Sequence, residues 1–405
     1  MKKALLVTRV SGFVPQFEMN NVKILQEMGY EVHYATDLNT VVYGHDNKRL
    51  EGTGIKLHQI DFVRSPLSKD VVKSYHQLVE LMEKEKFNLI HCHMPMSGVV
   101  ARKAAQKIYK ETGRKVPVIY TAHGFHFFVG APLKNWLYYP VERHMSRYTD
   151  RLITINDEDY KRAKKFPLRG RAEKINGVGI NTDKFSNYLI EDWSGRQRKI
   201  HDSTEDIRKK YGIGEDYKIL VSVGELAPGK NNMTVIEAMK ELKDLKIAYL
   251  ICGEGVMKEN LQERVKELGL TDRVFFAGYV NNTANVLQQC DCFVFPSKRE
   301  GLPVAMMEAK TVGLPVIASQ IRGVKDLIEH TKGGYLINGF ESEDYAVKVR
   351  RMFTEKEGKS AVKRDERRRQ MGLWNRERIK EFSVEVVDRQ MRKIYDDVCY
   401  NEIKD

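Results

Sequence analysis

Short apolar runs recur along the 405-residue chain, separated by segments whose apolar residues fall three and four positions apart. In the first half the runs at 4–8, 32–36, 57–60, 88–91, 118–121 and 152–155 predict β-strands, and the intervening stretches 22–28 and 71–84 predict helices. The second half repeats the alternation. Its strands are expected at 219–223, 248–252, 274–277, 292–295, 315–318 and 335–337, with helices at 233–242, 257–268, 283–289, 304–311 and 324–329. Such alternation means right-handed βαβ units and a parallel sheet. A glycine-rich break falls at Asn176 to Gly179, and the charged stretch 194–210 reads as a link or surface excursion. From residue 341 onward the chain is helix-like and basic, as at 363–369. The expected fold is α/β, with two doubly wound Rossmann-like domains: an N-terminal domain over 1–185, a second over 186–385, and a final helix over 386–405 packing back towards the first. Ligands of such sheets bind beyond the carboxyl ends of the strands, so the expected site is a cleft faced by both domains.

Composition narrows the class. The chain is 42% hydrophobic and 30% charged, with a formal charge of +13. No apolar run approaches the ~20 residues of a membrane span. The opening MKKALLVTRVSGF stops being apolar at Arg9, short of a signal peptide, so it reads as a first strand of a cytoplasmic protein. Five cysteines, most inside apolar runs, read as reduced core thiols, and Cys290 with Cys292 lacks zinc-site spacing. The positive charge fits an anionic membrane surface, nucleic acid or an anionic small molecule. Clustered base-stacking aromatics are missing apart from the region of Trp136, so nucleic acid is not expected.

The chemistry gathers at 297–308, SKREGLPVAMME. It joins an apolar strand to a helix, with Glu300 in the loop, Gly301, Leu302 and Pro303 next, and Glu308 about two turns into the helix. A helix start with free amides suits a phosphate. The plain alternative is an ordinary strand–loop–helix with two solvated glutamates. Earlier, VGELAPGKNN places Gly224, Glu225 and Lys230 in a turn after a strand, where the lysine suits a diphosphate. Gly253 and Gly255 form another strand-end glycine turn. In the first half Ser11 and Gly12 follow strand one, His91 and His93 follow another, and His123 opens the sequence HGFH. Four strand-end histidines (91, 93, 123 and 126) without a nearby cysteine or HExxH pattern favour hydrogen bonding or packing over metal, and His123 is the candidate for a polar contact to a sugar. Asp157, Glu158 and Asp159 read as a helix start. The stretch 131–147, with Trp136, Tyr138 and Tyr139 beside Lys134, Arg143 and Arg147, fits either a membrane interface or a partly buried helix broken at Pro140.

Taken in order, TAHG around His123, GELAPGK ending at Lys230, the glycine turn at Gly253 and Glu300-x7-Glu308 within REGLPVAMME resemble the retaining GT-B glycosyltransferases of family 4, particularly bacterial polysaccharide and lipid-linked glycan transferases. The resemblance covers nearly the whole chain. It implies a nucleotide-sugar donor bound mainly by the second domain. Glu308 would hold the ribose hydroxyls, Glu300 the donor sugar near the reacting carbon, and Gly301, Leu302 and Lys230 the diphosphate. The backbone at Tyr279 and Val280 would meet the base, His123 would touch the sugar, and Gly12 would lie beside diphosphate or acceptor. No metal and no cofactor beyond the donor are implied. One departure stands out: the family's pattern carries arginine where this chain has Glu225. A carboxylate ~4 Å from a phosphate would repel it by several kcal/mol. Glu225 must point away, meet a hydroxyl or base, or be paired, with Arg299, Lys298 and Arg322 as candidates to restore the charge. Ser11 beside Gly12, where a double glycine is common, is a smaller departure.

The expected activity is retaining, metal-independent transfer of a hexose or N-acetylhexosamine from a UDP-sugar to a lipid-linked or polysaccharide-precursor acceptor, with peripheral contact to an anionic membrane surface. The alternatives are a nucleotide-sugar epimerase on the same fold and a non-catalytic donor-binding subunit.

Overall fold

A computed structural model describes residues 1–44, 46–65, 68–188, 205–354 and 361–401. Much of the charged stretch read as a link, up to residue 204, lies outside the described residues. The chain forms two compact units. One comprises Met1–Gly179 with the segment from Val384 onward, and the other is Ile180–Ser383.

The first unit is built on a sheet of β1 (Lys2–Val10), β2 (Tyr30–Asp37), β3 (Lys56–Gln59), β4 (Leu89–His93), β5 (Val118–Ala122), β6 (Arg151–Thr154) and β7 (Arg171–Lys174). Their order is β3-β2-β1-β4-β5-β6-β7, and every pairing is parallel. All residues of β4, β5 and β6 are buried, as expected of parallel strands covered on both faces. β7 escapes that pattern: its sequence RAEK lies at the sheet edge and is partly exposed. Charged residues there discourage pairing with another chain. The helix Pro95–Thr112 covers the sheet through the small residues Gly98, Ala101, Ala104 and Ala105, and ends at Gly113.

Helix Val384–Asn401 belongs to this unit. It buries Val387, Met391, Ile394, Tyr395 and Val398, a spacing that puts them on one helical face. The Tyr395 hydroxyl meets His91 Nδ1 at 2.8 Å, Cys399 Sγ lies 2.8 Å from the Tyr30 hydroxyl, and Arg392 pairs with Glu27.

The second unit repeats the plan with β8 (Lys218–Val223), β9 (Ile247–Cys252), β10 (Val274–Gly278), β11 (Cys292–Phe295), β12 (Val316–Ser319) and β13 (Gly334–Ile337), ordered β10-β9-β8-β11-β12-β13. Both sheets therefore have the doubly wound order, and each has a switch point where the winding reverses: between β1 and β4, and between β8 and β11. Helix Ala361–Ile379 packs beside the second sheet, where buried Asn375 donates to the carbonyls of Leu314 at 2.7 Å and Gly333 at 2.8 Å.

One buried charge in this unit predicts a stability effect. Lys310, on helix Val304–Val312, is fully buried. Its ammonium donates to the Leu327 carbonyl and lies 5.1 Å from the Trp374 ring. Burial lowers its pKa to about 7 from 10.5. A lysine whose folded pKa is depressed costs stability in full below the folded value, and the cost fades as pH rises towards the unfolded value. Lys310→Met is expected to stabilise the chain by about 2–4 kcal/mol near neutral pH, since each pKa unit is worth ~1.4 kcal/mol and a carbonyl loses its donor. Denaturation at several pH values checks this: the gain should shrink between about pH 7 and 10.5. A gain independent of pH would count against the charge as its cause.

Candidate active site

At the carboxyl end of the second sheet the loops are laced together by backbone. Gly224 N–H donates to the Cys252 carbonyl at 2.9 Å, Leu226 N–H to Glu254 at 2.9 Å, and Gly253 N–H to Gly278 at 2.7 Å. The turns after β8, β9 and β10 thus form one surface. Gly253 permits it: its φ is +152°, and a Cβ there would stand 1.9 Å from the Gly224 carbonyl oxygen. Lys230 ends the short turn Pro228–Lys230, just before helix Asn232–Lys240.

Across the switch point, Lys298 N–H donates to the Gly229 carbonyl at 2.8 Å. This ties the 297–303 loop to the turn carrying Lys230. The Lys230 ammonium meets Glu300 Oε1 at 2.7 Å, with side chains 30% and 13% exposed. An anion entering here finds a cation held by a carboxylate rather than a free charge. Arg322 is buried, and its Nε donates to the Glu300 carbonyl at 3.0 Å; it shapes the loop. Lys298 and Arg299 are exposed. Leu302 and Pro303 are buried and Gly301 partly so. Pro303 caps helix Val304–Val312 rather than occupying its first turn, and Glu308 sits little more than one turn in, not two. Glu308 Oε2 accepts from the Thr283 hydroxyl at 2.9 Å; burial raises its pKa and the Thr283 bond opposes that. Tyr279 and Val280 line a cavity of about 230 Å3 with Tyr211, Lys210, Asn282 and Val286.

Glu225, the reversed charge, lines a small recess with Gly224, Lys230, Asn232, Phe295 and Ser297. Its side chain is exposed, and among the described residues it makes no ion pair. Water screens a charge in that position.

The first sheet has its own polar cluster at its switch point. Ser11 is buried with Phe13, and Gly12 is close-packed by the chain itself: a Cβ there would stand 1.7 Å from the Val42 carbonyl oxygen. His93 ends β4, His123 follows β5, and Glu18 lies between helices Phe13–Phe17 and Met19–Glu27. His93 Nδ1 and His123 Nε2 are 3.2 Å apart. Glu18 Oε1 is 3.6 Å from the first and 3.5 Å from the second. Phe13 packs against both rings, at 5.5 and 5.0 Å. Burial pushes Glu18 up to about 8, against its bond from Asn21. It lowers His123 to about 4 and His93 well below its ordinary value. His91 is committed elsewhere, to Tyr395 and Thr121. The acidic triplet holds the loop after His123: Asp159 Oδ2 accepts from Phe125 N–H at 3.1 Å, and Glu158 from Val129 N–H at 2.8 Å. Asn156 caps that helix through Asp159 N–H.

Two family descriptions match this chain. Residues 19–175 match the glycosyl transferase 4-like domain, and residues 203–371 match glycosyl transferases group 1. EpsD of Bacillus subtilis is 36% identical over 357 residues, covering 87% of each chain. The chain belongs to the family 4-like glycosyltransferases. An Escherichia coli relative, UDP-Gal:α-D-GlcNAc-diphosphoundecaprenol α-1,3-galactosyltransferase, is 30% identical over 281 residues, 67% of each chain. The crystal structure of HepE from Anabaena in complex with UDP and glucose has a TM-score of 0.73 at 16% identity, covering 98% of this chain and 100% of that one. That likeness gives the glycosyltransferase its fold class, GT-B.

The structure thus brings Lys230, Glu300, Gly224 and Glu225 together and joins Gly253 to them through backbone. Tyr279 and Val280 line a separate cavity. Arg322, a candidate to restore the charge lost at Glu225, donates to the Glu300 carbonyl. Two side chains around the glycosyltransferase's loops are not expected from the sequence: Thr283 and Glu18. Thr283 opens helix Thr283–Leu287, with no motif to mark its bond to Glu308. Glu18 could have been flagged as a charge in an otherwise apolar stretch following strand one.

Proposed function

We propose that this glycosyltransferase moves a hexose or N-acetylhexosamine from a UDP-sugar, with retention, to a lipid-linked or polysaccharide-precursor acceptor. The observation that carries the donor part is the Lys230–Glu300 pair at the switch point of the second sheet, beside loops held by backbone hydrogen bonds. A cation there would take the diphosphate and a carboxylate the sugar, so the leaving group meets preorganised charge and needs no divalent ion of its own. Glu308 is assigned the ribose, the amides of Gly301 and Leu302 the diphosphate, and the cavity at Tyr279 and Val280 the base. The role of His123 as a polar contact to the sugar rests on the resemblance. The printed name of the E. coli relative, with a UDP-Gal donor and a diphosphoundecaprenol acceptor, and the UDP held by HepE support the donor and acceptor classes.

Membrane contact is part of the same reading. Val129, Leu133 and Leu137 are 74%, 89% and 74% exposed, close in sequence to Lys134, Arg143 and Arg147. Exposed apolar side chains among basic ones fit an anionic lipid surface. Incubation with a panel of UDP-sugars should release UDP. Absence of both UDP release and UDP binding with every common donor would overturn the donor assignment. Sedimentation with phosphatidylglycerol vesicles should fall in high salt and in Leu133→Ser; indifference to vesicles removes the membrane part alone.

A further inference from the structure

The donor chemistry leaves Glu18 and His93 without a task. Among the described residues, Glu18, His93 and His123 are the one group of three such side chains whose potential ligand atoms converge. We propose that they form a binding site for one divalent cation of tetrahedral preference, zinc being the best match.

The geometry carries this. Glu18 Oε1, His93 Nδ1 and His123 Nε2 form a nearly equilateral triangle with edges of 3.2, 3.5 and 3.6 Å. Zinc binds nitrogen and oxygen at about 2.0–2.2 Å in tetrahedral geometry, which separates its ligand atoms by about 3.3–3.6 Å. Hydrogen bonds alone explain the triangle less well. Both imidazoles can donate to Glu18 Oε1, but their two N–H groups then face each other at 3.2 Å, and the other tautomers leave lone pairs facing each other in a water-poor interior. A cation satisfies all three atoms at once.

The scaffold is also of the right kind. His93 is the last residue of a buried strand, and His123 directly follows another. The sheet order places these strands side by side. Glu18 is 3% exposed, and its second oxygen accepts from the Asn21 amide, an outer bond of the sort that orients a ligating carboxylate. A cavity of about 10 Å3, bordered by Glu18, His123, Asn20, Asn21 and Asp388, adjoins the triangle. That is room for about one water, the natural fourth ligand. His123 Nε2 would be taken by the metal and Nδ1 left over, so the site is compatible with a sugar contact by His123 and independent of the donor assignments in the second unit.

The test uses the full chain. After loading with zinc and dialysis, metal analysis should find one equivalent per chain. Glu18→Gln and His93→Ala should each lose it. His58→Ala should keep it; this removes a histidine pair elsewhere, where His33 Nδ1 and His58 Nε2 are 2.8 Å apart. Hydrogen exchange in β5 and helix Pro95–Thr112 confirms that the first unit is folded in each variant. Cobalt titration of the wild type should give the intense visible absorption of a four-coordinate ion. Absence of that spectrum, substoichiometric zinc in the wild type, or zinc retained in folded Glu18→Gln would each overturn the proposal.

Discussion

Glu300→Ala should lower turnover by at least about 10²–10³-fold, the usual loss when one group aimed at transition-state charge is removed, while UDP affinity holds or tightens slightly. The reason lies in the pair it breaks. In the protein alone Lys230 spends its charge on Glu300 at 2.7 Å. Both side chains are partly shielded, at 30% and 13% exposure, so the bond competes with any diphosphate that approaches Lys230. Removing the carboxylate frees the ammonium. A residue that holds only the sugar near its reacting carbon contributes little to UDP, which has no sugar to hold. Turnover and binding therefore separate, and the loss falls on kcat more than on the nucleotide dissociation constant. Lys230→Ala gives the contrasting pattern: it weakens UDP binding and slows transfer together. The two measurements are calorimetric titration with UDP and the initial rate of UDP release from the donor identified by the panel. Parallel loss of UDP affinity in Glu300→Ala would move Glu300 into the nucleotide site. Unchanged turnover would remove it from the chemistry.

The pair also shows where reading the sequence succeeded and where it stopped. All twelve expected strands are present, because buried parallel strands such as IAYLIC and VIYTA are rich in apolar and β-branched residues along their length. β7 was missed because RAEK is polar, as an edge strand can be. Helix Pro95–Thr112 was missed because its buried face is built from Gly98, Ala101, Ala104 and Ala105, which barely register as apolar periodicity. Lys230 and Glu300 were legible as separate motifs, but their ion pair depends on β8 and β11 being neighbours. The same holds for Glu18, His93 and His123, which come from three elements that only the sheet order brings to one point. A reversed charge at Glu225 was visible from one position. Its resolution, an exposed side chain with no ion pair among the described residues, could be read only in three dimensions.

Arg102→Met should destabilise the first unit by about 3–5 kcal/mol, the range for removing one partner of a buried ion pair. Arg102 is fully buried on helix Pro95–Thr112, and Glu142 is nearly so. The guanidinium donates to Glu142 Oε2 at 3.0 Å and to the Gly98 carbonyl at 2.9 Å. It also lies over the Tyr120 ring at 4.1 Å, whose hydroxyl donates to Glu142 Oε1 at 3.2 Å. Four groups from two helices and β5 are thus bonded around the guanidinium, and removing the arginine leaves a carboxylate with one neutral donor in a dry interior. The attraction within such a pair largely offsets its desolvation. Arg102→Met combined with Glu142→Leu should therefore recover most of the loss. The two units need not unfold together, so a single denaturation midpoint is a poor measure. Hydrogen exchange in β5 and helix Pro95–Thr112 reads the first unit alone, against the second as an internal control. A loss under about 1 kcal/mol in the single variant would mean that water reaches Glu142, since a hydrated carboxylate costs little to leave unpaired. A double variant as unstable as the single one would shift the cause from the orphaned charge to the packing of the arginine itself.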